Sequence, residues 1–352
     1  MASASHLQRA LRWTTDEPAD FASMLAVTIG MAVPLTLAAM NGHLELGLAG
    51  AVGSLLMGNA AYGRTINDLA ENEVNVLVTF GLAAGIVAVI AEHGVWSDVG
   101  VVVVAVAAAL IGGYSRALGV STGRFIVFLC VTFSASTSEA NAPLVFPLMG
   151  LTALWTSGLI FIFGAIARLI DPPAPLMPAT DFEIVRFPER WSRWIASMRT
   201  LKGLQFPLRL MISLGLAVAI AAAFPTHRFF WIALTVALVC QRPLEAWPLR
   251  TTQRALGTFL GVILAALTIQ QPVPNWMLIA LLSLFNGIRQ GLRTRNYLLF
   301  SAFMTPVIML ILDAGHPVEP HLLFDRFVAT TIGALLTIAV NRVMVAVVGR
   351  WG

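Results

Sequence analysis

The residues best suited to chemistry lie in the stretch LRTTQRALGTFLG, 249–261. Arg250, Arg254, Gly257, Thr258 and Gly261 recur at i, i+4, i+7, i+8 and i+11, so on a helix they form a single stripe. Two guanidiniums and a hydroxyl along one line are donors for an anion, and a carboxylate takes charge-assisted hydrogen bonds from such groups. Gly257 and Gly261 form a small-xxx-small pattern that lets a neighbouring helix approach closely, so they are read as helix-packing residues. The competing reading is plain: arginines at the end of a membrane helix reach phosphate headgroups, and the glycines only pack. For Arg250 that reading is the simpler one; for Arg254, nearer the apolar run and sharing its face with Thr258, both stand.

Further candidates surround this stripe. NGIRQGLRTRNY contains Asn286, Arg289, Arg293 and Arg295, read as a basic loop that concentrates anions or as an ordinary solvated one. MTPV places Thr305 beside Pro306 inside an apolar run, and Phe133 offers an apolar wall for an aromatic ring. VTFSASTSEAN, 131–141, is rich in hydroxyls and reads equally as an exit vestibule or as interhelical hydrogen bonding. His316 and His321 stand near Asp313, Glu319 and Asp325, which we read as loop residues and not as a metal site or pH sensor. No GxxxxGK[ST] phosphate loop, no hydrolase constellation and no cofactor motif is present, so neither an enzyme nor a resident cofactor is expected. No acid sits in the middle of an apolar segment, so proton exchange has no obvious carrier residue. Membrane potential alone suffices in principle, since one negative charge leaving a negative interior gains about 2.3 kcal/mol per 100 mV.

The elements that position these residues belong to a membrane. The chain is 58% hydrophobic and 11% charged, too apolar for one soluble core. The N-terminal twenty residues lack an apolar core with a cleavage site and read as a retained amphipathic segment. Cys130 and Cys240 lie in apolar stretches and read as packing residues. Apolar segments near 21–40, 46–58, 76–91, 99–112, 124–137, 146–169, 210–224, 229–240, 255–270, 275–286, 297–312 and 326–348 predict an all-α polytopic protein of about twelve transmembrane helices. With both termini in the cytoplasm, 20 of the 22 Lys and Arg fall inside, leaving Arg228 and Arg326 outside, as the positive-inside bias requires. The arginines are spread over every inner loop, so lipid headgroups and a small anion are expected partners and nucleic acid is not.

Two halves are legible. IGMAV at 29–33 parallels LGLAV at 214–218, and LVTFGLAAGIVAVI at 77–90 parallels LGTFLGVILAALTI at 256–269. An even number of helices in each predicts parallel six-helix repeats: 1–170 with the N-terminal segment, then a cytoplasmic linker at 171–209, then 210–352. The second and fourth segments of each half are short, and Pro34 and Pro306 interrupt others, which points to discontinuous helices around a site between the halves. Within the linker, Trp191, Trp194, Ile195, Met198 and Leu201 share a face from Pro188 onward, predicting an interfacial helix on the inner leaflet.

The paired halves and QRALGTFLG, 253–261, resemble the fusaric acid resistance and aromatic acid exporter family, whose membrane unit is similar to plant aluminium-activated malate transporters. The R-x-x-G-T-x-x-G element is its most recognisable piece, here Arg254, Gly257, Thr258 and Gly261. The resemblance implies an exporter of aromatic or other organic carboxylates in a bacterial inner membrane, driven by membrane potential or proton motive force. An anion channel and a non-transporting assembly subunit are the alternatives, and a periplasmic or self-association partner is left open. Two departures matter. Asn75 stands where the repeat predicts an arginine, making the site asymmetric, and the linker lacks the large soluble domain that many relatives carry.

Overall fold

A computed structural model describes residues 11, 13, 20–58, 65–91, 94–137, 142–172, 187–240, 242, 247–269, 273–312 and 320–351. Among the described residues the chain is all helical: α1 (Phe21–Met40), α2 (Leu44–Met57), α3 (Ile66–Ile90), α4 (Val95–Ile111), α5 (Arg116–Thr137), α6 (Ala142–Ile170), α7 (Phe187–Met198), α8 (Leu201–Ala223), α9 (Phe230–Val239), α10 (Trp247–Ile269), α11 (Asn275–Leu292), α12 (Tyr297–Leu312) and α13 (Pro320–Trp351). Each of the twelve apolar segments lies on a helix, with α7 added between the halves. Six helices, α1, α3, α5, α6, α8 and α13, are long and apolar enough to cross a membrane. The chain is a multi-pass membrane protein.

Local chemistry sets several helix starts. The Asp20 carboxylate accepts from the Ser23 amide to begin α1. Thr65 and Asp68 cap α3 reciprocally, and the Thr200 hydroxyl accepts from the Gly203 amide to separate α8 from α7. The prolines do not break their helices: α1 runs through Pro34, α12 through Pro306, and α6 and α8 through Pro147 and Pro207. Neighbouring helices can satisfy the carbonyls that a membrane proline frees.

The second helices are short. At 1.5 Å per residue, α2 and α9, of 14 and 10 residues, rise roughly 21 and 15 Å, well below the ~30 Å of hydrocarbon. The fourth segment of the second half differs from expectation: α11 continues to Leu292, because GIRQGL is helical and packed, so α11 with 18 residues is longer than α12 with 16. This takes Arg289 out of the loop predicted for it and into a helix.

Helix pairings recur in order between the halves. The pairs α1–α2, α2–α6, α3–α5, α4–α5, α1–α6 and α3–α6 have counterparts in α8–α9, α9–α13, α10–α12, α11–α12, α8–α13 and α10–α13. Across the halves, α1 packs on α11 as α8 packs on α4, and α2 meets α12 as α9 meets α5. One apolar core runs through both, from Val27 and Met31 on α1 to Trp231 on α9 and Ile308 on α12.

The linker helix α7 is docked by its aromatic face. Trp194 Nε1 donates to the Leu110 carbonyl at 3.1 Å, and Tyr114 meets Phe187, Trp191 and Trp194 within 6.4 Å between ring centroids. Phe187 and Trp191 stay substantially exposed, as an interfacial helix requires. The amphipathic segment expected at the N-terminus falls almost wholly outside the described residues, as do Asp313, His316 and Glu319. His321 lies on α13, but its side chain is likewise outside them.

Candidate functional site

Arg254 lies on the second turn of α10, seven residues past Trp247 and so roughly 10 Å along the axis. Its side chain is 0% exposed. The Tyr297 side chain acts on it electrostatically and as a loose hydrogen-bond partner, and among the described residues no bond of good geometry reaches its three nitrogens. One turn on, the Thr258 hydroxyl is also fully buried without a partner, and so is the Ser301 hydroxyl on α12. Thr305, one turn beyond Ser301, spends its proton on the Ser301 carbonyl at 2.9 Å.

The glycines explain why these groups are so enclosed. A Cβ built on Gly257 would strike the Leu298 carbonyl oxygen, and one on Gly261 would lie 2.6 Å from the Ala302 carbonyl oxygen. Their absent side chains let α12 close directly over the stripe, turning Arg254 and Thr258 away from lipid. A guanidinium carries five donors and a charge, and taking it out of water costs several kcal/mol unless an opposite charge and acceptors come with it. The donors suit an anion: the Arg254 guanidinium and the Thr258 hydroxyl share one face of α10, and the Ser301 hydroxyl lies on α12, which packs against α10. Tyr297 stacks on Phe300 beside it, with ring centroids 5.6 Å apart.

The other expected residues separate from this group. Arg289, fully buried on α11, donates from Nε to Asn286 Oδ1 at 2.7 Å, from Nη1 to Met304 Sδ at 3.1 Å and from Nη2 to the Leu55 carbonyl at 2.5 Å. Asn286 in turn donates to the Val27 carbonyl at 3.1 Å. Arg293 donates to the Gly58 carbonyl at 2.8 Å. These three side chains brace α11 against α1 and α2 of the opposite half, so Arg289 spends its donors within the protein. Phe133 is half-buried on α5 in the main apolar core, outside these hydrogen bonds. Arg250 begins α10, with its side chain outside the described residues. In the hydroxyl-rich stretch, Ser134 and Ser136 donate to the Cys130 and Phe133 carbonyls of their own helix, and residues 138–141 lie outside the described set.

Two junction residues escaped the sequence. Arg209, placed in the linker from its position before an apolar run, is buried on α8 and donates to Asn341 Oδ1 at 2.7 Å and to the Arg242 carbonyl at 3.3 Å. Arg242, just past α9, donates to the Ala109 carbonyl near the end of α4. On the opposite end of the bundle, the Arg326 guanidinium stands 3.9 Å over the Trp231 ring, while Asp325 accepts from the Arg228 amide and pairs with His227 at 2.9 Å. Among the described residues no His, Cys, Asp and Glu cluster could hold a metal ion.

Residues 216–340, from α8 to α13, match the model of the fusaric acid resistance protein-like family. This stretch of the chain is similar to that family. It contains Arg254, Thr258, Ser301 and Thr305, so the enclosed donors lie within the matched region. An uncharacterized protein of Haemophilus influenzae is 29% identical over 130 residues, which cover 37% of this chain and 18% of that protein. Uncharacterized protein YhfK of Escherichia coli is 23% identical over 179 residues, 49% of this chain and 25% of its own length. The chain thus covers a quarter or less of these curated relatives. No solved structure matches it.

Proposed function

We propose that the chain exports organic anions, aromatic or other carboxylates, across a bacterial inner membrane, with Arg254 holding the carboxylate and Thr258 and Ser301 completing its shell. The observation that carries this reading is the fully buried guanidinium that meets no carboxylate among the described residues. An uncompensated charge at that depth is a standing cost, which a visiting carboxylate relieves. The Tyr297 and Phe300 rings offer a face for an aromatic substrate. Asn286, Arg289, Arg293 and Thr305 act as supports and not as direct ligands.

The ordered helix pairings support two parallel six-helix repeats about an axis along the membrane normal, with all twelve segments as spans. On this arrangement both termini are cytoplasmic and Arg254 is reached from the inner face. Outward movement of an anion is favoured by the membrane potential, with proton motive force as an added drive.

The test is flux from proteoliposomes loaded with labelled benzoate or phthalate, with protein-free vesicles subtracted and a potential imposed. Wild-type protein releases the label, and Arg254→Ala falls to background at unchanged folded yield. Equal flux from Arg254→Ala overturns the assignment. Bilayer currents far above carrier turnover would make the protein a channel, and background flux with every carboxylate would make it a non-transporting assembly subunit.

A further inference from the structure

The first half contains a buried acid that the reading above leaves unused. Glu73 lies on α3, seven residues past Ile66, and is 3% exposed. It stands three residues ahead of the apolar run at 76–91, so a search for acids in the middle of apolar segments passes over it, although the helix and its burial extend to it. Its Oε2 accepts from the Ser157 hydroxyl of α6 at 2.7 Å, while Oε1 accepts from nothing. Two cations act on it: Arg124 of α5 and Arg293, which stands at the end of α11 in the other half. Arg124 also donates to Asn72 Oδ1 at 3.3 Å, and Arg293 is tied to the Gly58 carbonyl between α2 and α3. The remaining charged group on the α6 side, Arg168, donates to the Gly164 carbonyl of its own helix at 2.7 Å.

We propose that Glu73 binds and releases a proton, and that its charge controls the hold of Arg124 and Arg293 between the halves. A buried carboxylate with one oxygen unpartnered is costly, and two nearby guanidiniums offset that cost. The opposition of these two terms is what a reversible proton site needs. When the carboxylate takes up a proton, the attraction that holds Arg293 beside α3 is lost, and the brace to Gly58 across the halves is freed to rearrange. When the proton leaves, the carboxylate recaptures both arginines. Resting on the export reading, this makes Glu73 the residue through which proton entry drives anion exit.

Two measurements on the full chain in lipid vesicles test it. Infrared difference spectra between acid and alkaline pH show a carboxylic C=O band that Glu73→Gln removes, while Ser157→Ala changes the pH at which it appears. A band untouched by both substitutions overturns the proton site. Phthalate efflux is then measured at zero potential with the outside acidified. Glu73→Gln loses at least tenfold of the gradient-stimulated flux, while phthalate exchange at equal pH continues. Equal stimulation in the variant overturns the coupling. Wild-type protein that shows the band but moves no carboxylate under any gradient retains the proton site and overturns the export reading together with the coupling.

Discussion

Two helix pairs in this molecule, α3 with α5 and α10 with α12, pack in matching order with opposite electrostatic outcomes. Where α3 packs on α5, the arginine stands on α5: Arg124 has Asn72 as acceptor and the Glu73 carboxylate as counter-charge, and Ser121 donates to Asn75 Oδ1 at 3.0 Å. Where α10 packs on α12, the arginine stands on α10, at the position that the repeat aligns with Asn75. Among the described residues Arg254 has the Tyr297 side chain and no carboxylate as company, and the Thr258 and Ser301 hydroxyls bond no protein group. The first pair carries its own anion. The second does not, and on the reading proposed above a visiting carboxylate supplies it, with ligand binding in the second half and charge regulation in the first.

The comparison breaks most easily at Arg254. Truncating one member of a buried, hydrogen-bonded charge pair costs about 2–5 kcal/mol, so Arg254→Ala weakens carboxylate affinity by at least about 30-fold. Because the free protein holds that charge without a counter-ion, the same substitution leaves thermal stability unchanged or raised. Thermal unfolding with phthalate separates the two effects. At 100 times its dissociation constant a ligand stabilises by about 2.7 kcal/mol, a shift that wild type shows and Arg254→Ala lacks. A variant destabilised and equally responsive to phthalate would make Arg254 a structural residue.

The proton-carrying side of the comparison comes next in size, through the tenfold loss of gradient-driven flux in Glu73→Gln. Below that lie the glycines that enclose only one of the two pairs. Methyl groups at Gly257 and Gly261 meet α12 backbone, whereas nothing stands within 4 Å of a Cβ on Gly81 or Gly85 of α3. Gly257→Ala and Gly261→Ala each cost about 1–3 kcal/mol through overpacking. Gly81→Ala and Gly85→Ala stay within about 1 kcal/mol of wild type, on the favourable side if helix propensity governs. Unfolding in denaturant series measures both, and equal costs at the four positions would remove the packing distinction.

These details explain how much the sequence could tell. Apolar runs locate a helix wherever lipid or core must be satisfied, so all twelve segments were legible, as were the brevity of α2 and α9 and the turn of α7. Runs of hydropathy do not report helix that continues into polar residues buried against other helices. INDLAENEVN opens α3, LKGLQFPLR opens α8 and GIRQGL closes α11, and each reads as loop by composition. Glu73, Arg209 and Arg289 sit in those extensions, so their burial was invisible. Arg254 was legible because its glycine spacing fixes a face whatever the hydropathy. Ser301 was not, since a lone hydroxyl in an apolar run carries no sign of what lies opposite.

Ser301 gives the finest test of the comparison, set against Ser121 on the matching helix. Ser121 is exposed enough to exchange its bond to Asn75 for water, so Ser121→Ala leaves both stability and carboxylate affinity near wild type. Ser301 buries a hydroxyl that bonds nothing, so removing it relieves a desolvated donor and does not destabilise the free protein. If that hydroxyl joins the anion shell, its loss forfeits one hydrogen bond of about 0.5–1.5 kcal/mol, a weakening of roughly two- to twelvefold in phthalate affinity. Titration calorimetry on the two variants reads this directly. A drop confined to Ser301→Ala keeps the open site on α10 and α12, whereas equal affinities would confine the anion's contacts to α10 and leave Ser301 facing only its neighbours.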